Sequence, residues 1–326
     1  MANKPTVFIH TNNQQIVGAL LGAYSMKRRS KTPDAFDVRL IRLEDTPQLL
    51  GREGQSYTRK GRAAVWHNED LQSFSPLRRM VPQLMDFSGR AVVTDPDIFA
   101  IGDIYELLTM DMGDKAILCR HIAGGYKGSG NAFYARSVML LDCAKLPHWR
   151  WDEDIDAMFS GRLDYGPWIG LNTEDPSTIG ELGEEWNSFD TLNERTRLLH
   201  TTERSTQPWK TGLPIDFDLN IKSAPAAGAK NRGFVERILA RFRTAPATAA
   251  AEGPRYQPHP DPEQERFIFG LLKDALEAGE IDETFLKGRI AANDVRADAF
   301  DVLRELGYRG AASGRNVGRL VEAHRL

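Results

Sequence analysis

Three residues in this chain have types and spacing suited to metal chemistry: Asp95 and Asp97 in the run Ala91-Val92-Val93-Thr94-Asp95-Pro96-Asp97, and His200, which closes Leu198-Leu199-His200. The apolar, β-branched run before Asp95 reads as a strand that stops on two carboxylates. That is where an open α/β sheet presents its ligands. In an extended segment residues i and i+2 project to the same side, and Pro96 fixes its own φ between them, so both carboxylates can converge on one cation. Two hard oxygens and one imidazole suit Mn²⁺ or Mg²⁺, with positions left open for phosphate oxygens. Each half also has a plainer reading. Asp and Pro are ordinary turn residues, and a single histidine is more often a structural hydrogen-bonding group than a ligand. The combination favours a metal: strand-end acids followed by a later His-containing loop that runs to Pro208-Trp209-Lys210.

Such residues need a sheet to hold them, and the first part of the chain alternates strand-like and helix-like patterns. A strand is expected around residues 7–9, a helix at 16–26 and a strand at 36–43, followed by a polar stretch from 44 to 70. This alternation predicts a mainly parallel sheet covered by helices. Apolar runs at 116–119 and 139–143 add core strands. They carry the only two cysteines, Cys119 and Cys143, which read as reduced core residues because they lack the paired spacing of a zinc site. The basic, Gly-rich and aromatic stretch 51–62 is either a solvated loop or a lid over a diphosphate. The glycine-rich loop 124–131 lacks the spacing and the Gly-Lys-Ser ending of a P-loop. Trp149, Trp151 and Asp154, and again Asp164, Tyr165 and Trp168, group aromatics with carboxylates. Sugar-binding surfaces do this, and so do core tryptophans beside helix-capping acids.

Together these segments resemble the family 8 retaining glycosyltransferases. Residues 7–13 and the small-residue helix at 18–25 look like the family's opening nucleotide-binding strand and helix, which implies His10, Thr11 and Asn13 as donor contacts. Arg78, followed four residues later by Pro82, resembles the family's arginine-to-proline pattern and is the implied sugar-nucleotide contact. Asp95, Asp97 and His200 match the family's metal ligands, and Pro208-Trp209 matches the end of its His-to-Pro-Trp loop. The resemblance covers the first two thirds of the chain. It implies a GT-A fold, a nucleotide-diphosphate sugar donor that is usually UDP-linked, a divalent cation that is commonly Mn²⁺, and a hydroxyl acceptor on a glycan, lipid or protein. Retention is implied as well, with the leaving phosphate taking the acceptor proton.

Departures from the family pattern matter. No lysine precedes Pro208-Trp209, which leaves Arg204 or Lys210 to supply charge to the diphosphate. The strand at 134–141 lacks the family's asparagine, and Thr11 stands where many members have Asp. Asp164 is the nearest candidate for a carboxylate beside the anomeric centre. The alternatives are a catalytically silent GT-A scaffold or carbohydrate-binding protein, and a sugar nucleotidyltransferase, although the Gly-rich phosphate loop of the last is missing after Ile9.

A net charge of -3 argues against a nucleic-acid partner. Nothing approaches the roughly 18 apolar residues of a spanning helix, and the first residues pass directly into a strand with no apolar leader, so a cytoplasmic protein is expected. The expected organisation is a GT-A catalytic domain at 1–222, a linker at 223–254 and a small helical region at 255–326. Within the linker, Phe234, Ile238, Leu239 and Phe242 recur at helical spacing among Arg232, Arg237, Arg241 and Arg243. That makes residues 231–243 a basic amphipathic helix able to dock on the inner face of an anionic membrane or on the catalytic domain. Further on, Asp261-Pro262 reads as a helix start, and Phe267, Ile268, Leu271, Leu272, Ala275 and Leu276 form an apolar stripe ended by Gly279. Residues 299–307 repeat that logic.

Overall fold

A computed structural model describes residues 3–70, 72–125, 130–216 and 254–310. The expected amphipathic helix 231–243, the runs on either side of it and residues 126–129 of the glycine-rich loop lie outside the described residues. In chain order the strands are β1 (Thr6–Thr11), β2 (Asp37–Arg42), β3 (Ser56–Arg59), β4 (Arg62–Val65), β5 (Arg90–Thr94), β6 (Ile98–Ala100), β7 (Ile117–Ile122), β8 (Phe133–Asp142), β9 (Ile179–Glu181), β10 (Ser188–Phe189) and β11 (Leu198–His200). The helices are α1 (Ile16–Arg29), α2 (Pro47–Leu50), α3 (Val81–Leu84), α4 (Ile104–Leu108), α5 (Trp151–Phe159), α6 (Tyr165–Ile169), α7 (Pro262–Glu277), α8 (Glu283–Ala291) and α9 (Ala299–Glu305).

The main sheet has the order β2-β1-β5-β8-β7-β9. β1 runs parallel to β2 and β5, and β7 to β9, while β8 runs against both of its neighbours. The α/β reading with a mainly parallel sheet therefore holds, with one reversed strand. The central strands are apolar on both faces because both faces are covered. Val7, Ile9 and Val92 enter the core on the α1 side, whereas Phe8, Ala91 and Val93 enter the core on the other side, following the period of two along each strand. Cys119 and Cys143 are buried free thiols, and burial pushes each up to about 12.

α7 packs on α1. Its Ile268, Phe269, Leu271, Leu272, Ala275 and Leu276 belong to the same apolar cluster as Leu20 and Leu21. The helix starts as its sequence predicts. The Asp261 carboxylate accepts the Glu263 N–H at 3.0 Å, Pro262 occupies the first turn, and Gly279 takes φ +72° past the end.

On the opposite face the stretch read as a loop or a lid is an ordered hairpin, β3–β4. Its turn residues Lys60 and Gly61 have φ of 53° and 71°, the left-handed pair that suits a two-residue hairpin turn. Tyr57 anchors the hairpin, packing edge-on against Trp66 and Tyr165 with centroids 5.9 and 5.7 Å away. The tryptophans considered as sugar contacts are core residues: Trp149, Trp151 and Trp168 are at most 1% exposed. The Trp151 and Trp168 indole N–H groups donate to the Pro76 carbonyl and the Asp154 carboxylate, each at 3.0 Å. Among the described residues, no helix is long and apolar enough to cross a membrane.

Candidate active site

Asp95 follows directly on β5 and Asp97 directly precedes β6. β6 pairs antiparallel with β11, which sets His200 opposite Ile98, and the Thr201 N–H donates to the Asp97 carbonyl at 3.2 Å. This small second sheet carries the histidine to the acids. Asp95, Asp97 and His200 each bring a ligand atom within 4.8 Å of the others. α1 lies tight behind the loop. A Cβ on Gly18 would fall 2.6 Å from the Pro96 carbonyl oxygen, and one on Gly22 would fall 2.7 Å from that of Ile98. These glycines are four residues apart, on one helix face, and their lack of side chains lets the helix backbone support the acid pair.

The parallel register of β1 with β5 brings His10 beside Asp95. Asp95 Oδ1 receives His10 Nε2 at 3.0 Å and Arg78 Nη2 at 3.1 Å. His10 is fully buried, and burial is the main reason its pKa is lowered. A neutral imidazole facing a carboxylate places its proton on Nε2, an assignment made from the network. Burial alone would push the Asp95 carboxyl up, but the Arg78 charge and the His10 hydrogen bond outweigh it and hold the group well below the usual range. Asp97 goes the other way. Burial, with the charge of Asp95 adding and that of His200 opposing, pushes it up to about 6. Its Oδ1 is buried without a hydrogen-bond partner and sits 3.5 Å from His200 Nε2.

Asn187 orients His200. Its Oδ1 lies 2.9 Å from His200 Nδ1, and its own N–H donates to Ser137 Oγ at 2.9 Å. With the proton on Nδ1 and held by Asn187, the Nε2 lone pair turns toward Asp97. Metal-binding histidines are set in this way. Two carboxylates, an imidazole with a free Nε2 and an orphaned buried oxygen fit a divalent cation.

No family model and no curated protein matches the chain. Solved glycosyltransferases are among the structures it resembles. The glycosyltransferase GlyE of Streptococcus pneumoniae TIGR4 aligns at 14% identity over 64% of this chain and 56% of that one, with a TM-score of 0.43. The galactosyltransferase LgtC, solved with donor and acceptor sugar analogs, aligns at 12% identity over 63% of this chain and 89% of that one, with a TM-score of 0.44. For mouse xyloside xylosyltransferase 1 the identity is 11%, the coverage 61% and 97%, and the TM-score 0.39. The chain spans about half the length of GlyE and of the bifunctional glycosyltransferase WbbM, covering 56% and 47% of them.

The other expected site residues separate into groups. Arg78, expected as a sugar-nucleotide contact, donates to Asp95, while His10 is fully buried beside Asp95 rather than at an open surface. Thr11 is buried, and its hydroxyl donates to the Asn12 carbonyl at 3.2 Å. Asn13 is exposed, its backbone N–H donating to Glu44 at 2.7 Å and its side-chain Oδ1 accepting from Arg42 at 2.9 Å. Trp209 is a packing residue, 1% exposed and edge-on to Phe99 with centroids 5.9 Å apart.

Two further assignments are corrected by what the side chains touch. Lys210 is fully buried and its ammonium is paired with Asp216, which also accepts from the Tyr256 hydroxyl, so its charge is already answered inside the protein. Asp164 accepts the N–H groups of Lys60, Gly61 and Gly166 at 2.7, 2.6 and 2.8 Å. It therefore caps α6 and ties down the hairpin turn, and does not join the acids. Arg204, at the start of a short turn over Arg204–Thr206, is close enough for its charge to act on Asp97. Sequence reasoning missed Asn187. It reaches Ser137 of β8 from a different strand region, a contact that no local sequence pattern signals.

Proposed function

We propose that this chain is a divalent-metal-dependent glycosyltransferase of the family 8 type, with a GT-A fold, which moves a hexose from a UDP-linked sugar to a hydroxyl acceptor with retention. The observation that carries the reading is Asp97: a buried carboxylate oxygen with no partner, beside a second acid and an imidazole lone pair, at the carboxyl end of parallel strands. Burying such a group without compensation costs free energy, and a cation in contact with it removes that cost. Asp95, Asp97 and His200 would hold Mn²⁺ or Mg²⁺, whose chemistry is to stabilise charge on a departing nucleoside diphosphate.

The chain's own residues supply the rest. Asn187 keeps the His200 lone pair available, and His10 and Arg78 keep Asp95 ionised. Arg204 places a guanidinium group near the acids, where it can fork onto phosphate oxygens. Asp164 is engaged by three backbone N–H groups, and the family resemblance implies a route in which the leaving phosphate takes the acceptor proton and no protein nucleophile is needed.

Asp97→Asn replaces an anionic ligand with a neutral one of nearly the same shape. Calorimetry with UDP in the presence and absence of Mn²⁺ is expected to show metal-dependent binding by the parent that the variant lacks. Equal Mn²⁺-dependent UDP binding by both proteins would rule out the ligand role.

A further inference from the structure

Beside the acid cluster, three arginines from separate elements come near one phenol, that of Tyr165. Arg59 ends β3, and its guanidinium carbon stands 5.2 Å from the centroid of the Tyr165 ring. Arg78 reaches Asp95 at 3.1 Å. Arg136 lies on β8 next to Ser137, whose carbonyl accepts the Asp95 N–H at 2.9 Å. The pairing of β7 with β8 shifts at this point, from Cys119 opposite Met139 to Arg120 opposite Ala135, so Arg136 falls in a ladder irregularity. Irregularities of this kind re-aim side chains next to active sites. The charges of Arg59, Arg78 and Arg136 all act on the Tyr165 hydroxyl.

These positive charges are poorly answered. Among the described residues neither Arg59 nor Arg136 forms an ion pair. Arg136 donates only to the Tyr134 carbonyl, at 3.1 Å, and its Nε is buried with no partner. Burial, with the neighbouring Arg78 adding and Asp95 opposing, lowers its pKa to about 10, so it stays charged at neutral pH with no ion-pair partner among the described residues. In the proposed complex the two acids and a divalent cation cancel. Arg204 and these three guanidiniums then face the two negative charges of a nucleotide-diphosphate sugar, so that more positive than negative charge remains.

We infer that Arg59, Arg78 and Arg136 form a subsite for a carboxylate carried on the donor sugar, so that the donor is a nucleotide-diphosphate hexuronic acid. This inference rests on the proposed glycosyl transfer and narrows its substrate class. An arginine fork matches a carboxylate geometrically, and the Tyr165 hydroxyl adds a donor beside it. A neutral hexose would leave Arg136 enclosed without an anion.

The test is calorimetry on the full chain at fixed Mn²⁺ and ionic strength with UDP, UDP-glucose and UDP-glucuronate. The acidic donor is expected to bind roughly 10- to 100-fold tighter than UDP-glucose, the range for a hydrogen-bonded charged group. Arg136→Met and, separately, Arg59→Met on the hairpin should each erase most of that ratio. The second variant covers the case in which the first fails to fold. A ratio within about twofold in the parent overturns the inference, and so does an equal loss of UDP and UDP-glucuronate binding in the variants, which would assign the arginines to the diphosphate. Arg136-dependent binding of free glucuronate to the UDP complex, without any preference for the acidic donor, would move the carboxylate to the acceptor and also overturn it. If UDP does not bind with Mn²⁺, the proposed function fails on its own. The subsite is then judged by thermal shift with free glucuronate, where stabilisation lost in Arg136→Met supports it and no stabilisation sinks it.

Discussion

Arg78 and Arg79 are neighbours in one short turn, Ser75–Met80, and they serve opposite sides of it. Arg79 is 3% exposed, donates to Glu174 at 2.8 Å, and lies flat over Trp149 with its guanidinium carbon 3.8 Å from the ring centroid. Glu174 in turn receives His148 Nε2 at 2.7 Å. Every charge on that side has a partner made of protein. Arg78 faces a region where the tally does not close: it shares Asp95 with His10, Asp97 has an orphaned oxygen, and Arg136 has no anion. A closed charge network is a device for holding the fold, whereas an open one is where a ligand is expected to complete it.

The largest effect that could break this comparison is on stability. Arg79→Met leaves the buried Glu174 carboxylate with His148 but without its guanidinium and should lower unfolding free energy by about 3 kcal/mol, the lower end of the cost of breaking a buried pair from one side. Arg78→Met should cost distinctly less stability while weakening donor binding. Urea unfolding of both variants decides the matter, and equal losses would mean that the two sides do not differ as described.

Next comes Asn187→Ala, which leaves all three proposed ligands in place and removes only the group that orients His200. Outer-sphere partners of this kind change metal affinity by about 10- to 100-fold. A Mn²⁺ titration of parent and variant with matched circular dichroism should show that loss. An unchanged affinity would mean that His200 is held by its packing on β6 alone.

The smallest effect is on the pH profile of the closed side. Burial alone would raise the Glu174 carboxyl, but Arg79 and then His148 outweigh it and hold it below the ordinary carboxylate value. Because the folded-state pKa is depressed, this group's stabilisation is fully present above the unfolded value of about 4.3 and is lost as pH falls through the lower folded value. Parent protein should therefore lose stability more steeply below about pH 4 than Glu174→Gln, whose side chain does not titrate. Parallel acid-unfolding curves for the two proteins would remove Glu174 from the account.

Much of the scaffold was legible because it is written locally. The strand run into Asp95, the small-residue helix behind it and the Asp261-Pro262 helix start depend on residues a few positions apart, through side-chain period and capping. The Asp95, Asp97 and His200 set was legible for a related reason. Strand ends in an open sheet converge, so acids and a histidine at such ends are candidates before any contact is known. The hairpin at 56–65 was misread as loop or lid because its polar, glycine-rich sequence is anchored by Tyr57 against Tyr165 and Phe159, partners that no local pattern reveals.

By itself the sequence determined where charged and aromatic groups stand along the strands and helices. Tertiary structure alone decided which of them are still available. Lys210 was a plausible phosphate ligand until Asp216 was found beside its ammonium, and Asp164 a plausible catalytic acid until three backbone N–H groups were found on its oxygens. Asn187 and Arg136 gained their importance the same way, the first by reaching His200 and the second by forming no ion pair among the described residues. The reason is physical. A charge or lone pair is defined chemically by its residue, but its free energy depends on what lies within a few ångströms of it, and in a folded chain those neighbours come from anywhere in the sequence.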